Sequence, residues 1–384
     1  MSGDELIFVA VLLLRLGVPL LIPRYALPAI LASLVIDAAD QTIFQAFTDL
    51  NLDGYQGYDK ALDVYYLTVA YLSTIRNWAE PFAFRVAQFL WYYRLTGVLL
   101  FELTGARAVL IMFPNTFEYF FIAYEAIRLW WTPSRLSRRH VITIAAAIWV
   151  FIKLPQEWWL HIAKLDFTDF MKEDVFGVSV DTSWGEAIGE NLWFVPFMAV
   201  VVAVVALGVR YLRPRLPAPD WPLSFDVDRN LDRGTITPAP EPSWQPVLSW
   251  YMFEKIALVS MVTAIFALVL PDNNVSTLGV VLPVAFLIVA NSFASTWLAR
   301  RGRSWSTAFA EFAAMAVINF GAALLWIVFL RRSDSSINEA ATVFFILLLT
   351  LIVTLFDRYH RRESTTVVGG RPQPKAQPAP RPGH

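Results

Sequence analysis

Most of this chain is written in apolar runs of about 20 residues, the length a helix needs to cross a bilayer at roughly 1.5 Å per residue. The stretch from Ala83 to Trp131 shows how much follows from that. Its first half reads AFRVAQFLWYYRLTGVLLFELTG and its second ARAVLIMFPNTFEYFFIAYEAIRLWW, each long enough to span. Thr104-Gly105 between them predicts a turn, because glycine accepts the backbone angles of a tight reversal. Folded antiparallel about Gly105, residues whose numbers sum to about 210 share one depth. Arg94 then lies level with Glu118, and Arg85 with Glu125. An unpaired charge in hydrocarbon costs about 3 kcal/mol or more, so equal depth predicts ion pairing. Glu118 and Glu125 share a helical face, whereas Arg85 and Arg94 point oppositely. One arginine must therefore meet a third helix, and the hairpin belongs inside a bundle.

Composition extends this reading to the whole chain. Of 384 residues, 57% are hydrophobic and 16% charged, against about 25% charged in soluble domains. The N-terminal MSGDELIFVAVLLLRLG lacks the basic start and small-residue cleavage site of a signal peptide, and is expected to be a first span. There is no cysteine, which excludes disulfides, thiolate metal sites and cysteine nucleophiles. A net charge of −1 gives no reason to expect nucleic acid. No phosphate-binding GxxxxGK[ST], no HExxH and no GxSxG is present. No cofactor or metal site is expected.

The apolar runs predict an all-α, polytopic bundle of about 11 spans. They fall near 5–23, 25–45, 60–78, 81–103, 107–130, 140–162, 190–212, 247–270, 276–299, 305–330 and 338–357. Lysine and arginine concentrate in alternate connections, RNW, RLWWTPSRLSRRH, RYLRPRLP, ARRGR and DRYHRR. That bias predicts the N-terminus outside, the C-terminus inside and a multi-pass cell-membrane location; Arg331-Arg332 violates it. The proline-rich stretch 213–246 reads as a cytoplasmic linker between an N-terminal bundle of about seven spans (1–212) and a C-terminal one of about four (247–357). The tail 358–384 reads as disordered. The nearly pure apolar seventh and eleventh spans are expected to face lipid.

Three polar groups interrupt the apolar runs. Asp37, Asp40 and Gln41 share one face of the second span, with Arg15 as the nearest countercharge. Lys153, Glu157, His161 and Lys164 form one stripe on the sixth, beside Pro155, which should bend the helix. Lys255, with Glu254 beside it, is expected to brace against Glu311. Intramembrane ionisable groups are functional candidates by default; the simpler alternatives are acids at the water interface for the first group, an aromatic belt with snorkelling lysines for the second, and an internal brace for the third, where the brace is the preferred reading. The first two groups fall toward the outer leaflet. Asp37, Asp40, Gln41, Lys153, Glu157 and His161 are therefore the expected polar site, with His161 able to move a proton near neutral pH.

Function stays open among three classes: transport or handling of a small solute or lipid headgroup, an enzyme on a membrane-embedded substrate, and an assembly subunit with a membrane-protein partner. The first leads. The acidic outer loop TDLNLDG, carrying Asp49 and Asp53, resembles that of the multi-spanning glycosyltransferases that use polyprenyl-phosphate sugars. The resemblance covers one loop and implies an essential acid there; the large soluble domain of many such enzymes has no counterpart.

Overall fold

The computed structural model describes residues 3–48, 55–163, 167–227, 250–269, 312–317, 320–321 and 339–366, and among them the regular structure is helical throughout, with no strand. The helices are α1 (Gly3–Gly17), α2 (Ala26–Phe47), α3 (Tyr55–Asn77), α4 (Pro81–Thr104), α5 (Ala108–Met112), α6 (Thr116–Arg128), α7 (Arg138–Ala147), α8 (Leu154–His161), α9 (Phe167–Phe170), α10 (Trp184–Glu190), α11 (Phe194–Leu212), α12 (Trp250–Val269) and α13 (Glu339–Thr366). Among the described residues, three stretches are long and apolar enough to cross a membrane: Ala26–Phe44, Arg138–Trp159 and Phe194–Arg215. Other expected spans fall short for readable reasons. Helix α1 has 15 residues, and α3 carries Asp59, Lys60, Asp63 and Arg76. The expected ninth span, and most of the tenth, lie outside the described residues.

The chain forms two compact units, residues 1–84 with 224–384, and residues 85–223. The division falls within α4, between Phe84 and Arg85, and again between Leu223 and Ser224, inside the 213–246 stretch. In the first unit α3 is the axis, contacted by α1, α2, α12 and α13. From residue 64 to 75 it is buried on every side: Tyr65, Val69, Ala70, Tyr71 and Leu72 are inaccessible, as are Thr68, Ser73 and Thr74. This part is core helix, and its hydroxyls are satisfied by bonding back to carbonyls three or four residues earlier. Helix α13, expected to face lipid, instead buries Leu348, Leu349, Ile352, Val353 and Phe356. It also runs to Thr366, into what reads as a disordered tail.

In the second unit the expected turn is present, with Gly105 at φ +66°. The expected fifth span is not one helix. Pro114 cannot donate a backbone hydrogen bond, and the chain leaves helical geometry at Phe113–Asn115, between α5 and α6. Gly97 of α4 lies against this break: a Cβ there would collide with that of Phe113. The sixth span is continuous but passes through a π-helical turn, Ile148–Lys153, between α7 and α8. Pro155 lacks the N–H that would bond four residues back, so the ladder re-forms with a longer step. Beyond it, α10 starts on a capping box of Ser183 and Glu186. Helix α11 buries no residue.

Part of the presumed linker is docked. Asp220 donates its backbone N–H to Trp130 O at 2.9 Å, and Trp221 Nε1 donates to Leu129 O at 3.1 Å. In the first unit, Val227 N–H donates to Arg24 O at 2.9 Å and Arg24 pairs with Asp226 at 3.1 Å. Residues 228–249 lie outside the described residues.

Candidate functional site

The residues expected to form one polar site fall into two clusters, one in each unit. The first is built on α1, α2 and α3. Asp37 and Asp40, three apart, share a face of α2, and Asp59 and Asp63, four apart, share a face of α3. Both faces turn to Arg15 of α1, which donates to all four carboxylates: Nη1 to Asp40 and Asp59, Nη2 to Asp37 and, at 2.8 Å, to Asp63. The guanidinium has five donors in a fixed fork and can serve several acceptors at once. Tyr65 locks the geometry by donating from its hydroxyl to Leu16 O at 2.9 Å, which fixes α3 against α1.

The arginine side chain is 3% exposed and Asp40 likewise, while Asp37, Asp59 and Asp63 are 23%, 38% and 40% exposed. The cluster is thus buried at one end and open at the other. Among the described residues, four carboxylates meet one guanidinium here, three formal charges more than Arg15 alone balances. Oxygens of Asp37, Asp59 and Asp63 lie within 4.8 Å of one another, close enough to hold one metal ion. Gln41 is not part of this arrangement: its side chain is exposed, and only its backbone N–H reaches Asp40. One residue beyond Asp40, it has turned about 100° away.

The second cluster surrounds the break between α5 and α6. Arg94 donates to Phe113 O at 3.1 Å, capping the end of α5, and Glu157 accepts from Asn115 N–H at 3.2 Å, capping the start of α6. Asn115 Nδ2 donates to Glu118 at 2.8 Å. Arg94 stands 3.7 Å from Glu157, and Lys153 3.7 Å from Glu118. Lys153 Nζ also sits 3.8 Å from the Tyr119 ring centroid, a cation–π contact. Two cations meet two anions, so this quartet is self-neutral.

The depth rule for the hairpin thus predicts charged partners but mispairs them. Arg94 pairs with Glu157, not Glu118, because the break shifts α6 and the π-helical turn brings Lys153 and Glu157 of the third helix into the gap. Glu125 pairs with Arg128 one turn away at 2.6 Å, whereas Arg85 is exposed on α4. Lys255 donates to Asp357 of α13 at 2.9 Å, both side chains buried, and its expected partner Glu311 lies outside the described residues. Tyr71 donates to the neighbouring Glu254. Glu311, Lys164, Asp49, Asp53 and the side chain of His161 lie outside the described residues.

Sequence reasoning missed Asp59 and Asp63. The i, i+4 spacing of carboxylates in YDKALDVYYLTVA was the available signal; it reads as a solvated helix start until α1 is placed beside it.

This is an all-helical protein with helices fit for a membrane, built on one unbalanced acidic cluster and one balanced ionic brace. No protein family matches the chain, and neither does any curated protein or solved structure.

Proposed function

We propose that this chain is a multi-pass protein of the cell membrane that handles a small cationic solute, or the cationic group of a lipid headgroup, at the Arg15 cluster. One observation carries the reading: four carboxylates converge on one buried arginine, three of them open to water. A purely structural ion pair would be balanced, as the Arg94–Glu157 and Lys153–Glu118 quartet is. An excess of negative charge beside apolar helices demands protons or a cation, and exchanging them is what a binding or transport site does. In the topology set by the arginine-rich connections, the cluster faces the outer leaflet.

The test uses the purified full chain in detergent. Sodium, potassium, magnesium, manganese and a cationic amine are each titrated while thermal unfolding is followed. At least one should raise the unfolding temperature, and Asp59→Asn/Asp63→Asn should abolish that rise while the apo protein still folds. A wild type indifferent to every cation and to protonation overturns the reading.

A second reading has its own observation. Three carboxylate oxygens within 4.8 Å of one another suit a divalent ion, and such an ion could bind the phosphate of a lipid-linked substrate. That makes the protein a membrane-embedded enzyme. Response to magnesium or manganese alone, with none to monovalent cations or amines, favours it.

A further inference from the structure

The second unit holds a cavity that the acidic cluster does not use. It measures about 380 Å³ and is lined chiefly by Ile127, Trp131, Leu136, His140, Ile144 and Leu216. Pockets of roughly 300–1,000 Å³ accommodate small molecules or parts of larger ones. A strap, residues 216–221, closes one side. Trp131 Nε1 donates to Pro217 O at 3.0 Å, and Asp220 Oδ2 accepts from Thr132 N–H at 2.8 Å.

Two features identify what fits. The cavity lies where the two candidate spans of this unit end: Arg138 begins one and Arg215 finishes the other. It is therefore at the depth where a membrane segment leaves hydrocarbon, within reach of an acyl chain. Charge supplies the second. Arg135, Arg138, Arg139, Arg213 and Arg215 lie in the two connections that meet here or at the helix end beside them, and Asp220, paired with Arg135 at 2.5 Å, is the one carboxylate among them. Inside the cavity there is little for a free ion to bind: Arg135 is paired, and His140 Nδ1 lies 3.1 Å from Ser137 Oγ.

We infer that this cavity takes an acyl chain of an anionic phospholipid, with the lipid phosphate against the arginines of 138–139 and 213–215. Clustered basic residues beside membrane helices on the cytoplasmic side recognise anionic headgroups in this way, and the apolar lining rewards the chain. The inference rests on the membrane reading above but not on the Arg15 cluster.

The experiment uses the full chain in nanodiscs and two photoactivatable lipids with a diazirine on one acyl chain, a phosphatidylglycerol and a phosphatidylcholine. The phosphatidylglycerol probe should label the peptides around 127–144 and 212–217 roughly tenfold over the phosphatidylcholine probe. Ile144→Trp, which fills the cavity, should remove that labelling. Arg138→Gln/Arg139→Gln alters exposed positions only and should equalise the two probes in a folded protein. Equal labelling by both probes in the wild type, persistence in Ile144→Trp, or displacement by millimolar inorganic phosphate each overturns the inference. Alkaline carbonate extraction separates the two failures. A chain that carbonate releases overturns the membrane reading, whereas a carbonate-resistant chain with equal labelling overturns only the lipid site.

Discussion

Removing Arg15 should harm this protein far more than removing any one of its four aspartates, and burial sets the size of the difference. In Arg15→Met the carboxylates lose their shared cation. Asp40 is as buried as the arginine, and stranding a buried charge costs about 3–5 kcal/mol. Asp59 and Asp63 face water and add at most about 1 kcal/mol each. A loss of 3–5 kcal/mol is roughly two to three and a half decades in the folding equilibrium, a large share of a typical stability of about 5–15 kcal/mol. Asp40→Asn is the opposite case: Arg15 keeps three carboxylates and one crowded charge disappears, so the cost is about 1 kcal/mol or less. The double variant Arg15→Met/Asp40→Asn should recover most of the loss, since the remaining carboxylates are hydrated. The assay is the fraction of monodisperse protein surviving graded heating in detergent, read by gel filtration, for wild type, both single variants and the double. Asp40→Asn costing as much as Arg15→Met, or strictly additive losses in the double, refutes the reasoning.

Lys153→Met should cost about 3–5 kcal/mol by stranding Glu118, and Lys153→Met/Glu118→Gln should be milder; additive losses on heating would show that the two groups do not interact. Gly97→Ala should destabilise by about 1–3 kcal/mol, because the new methyl collides with Phe113; an unchanged unfolding temperature contradicts the close approach. The Thr132 N–H, and then Arg135, hold the Asp220 carboxyl below its usual range. A depressed carboxylate pKa stabilises above the unfolded value of about 3.9 and loses that stabilisation as pH falls through the folded value. The 216–221 strap should therefore stay protected at pH 7 and open in acid below about pH 4; hydrogen exchange of 213–223 that is flat with pH counts against this. In a chain without cysteine, single cysteines at Ser183 and Leu223 should differ in labelling by an impermeant thiol reagent on intact cells, with Ser183 reactive. Equal labelling removes the proposed topology.

The helical class needed nothing beyond the sequence, because apolar runs of this length leave a backbone only one way to satisfy its own hydrogen bonds within a segment. The Gly105 turn and the Arg15–Asp37/Asp40 attraction were legible for a similar reason: both follow from residue chemistry and helical spacing over short or regular distances. Partner choice was not. Arg94 went to Glu157 and Lys153 to Glu118 because Pro114 breaks one helix and a π-helical turn re-aims another, so equal depth no longer meant contact. Lys255 found Asp357, and α13 became core, because burial depends on which helices surround α3, a fact with no local signature. The acidic cluster shows the same limit. Asp59 and Asp63 look like a solvated helix start in one dimension, and only the packing of α3 against α1 and α2 puts four carboxylates on one guanidinium.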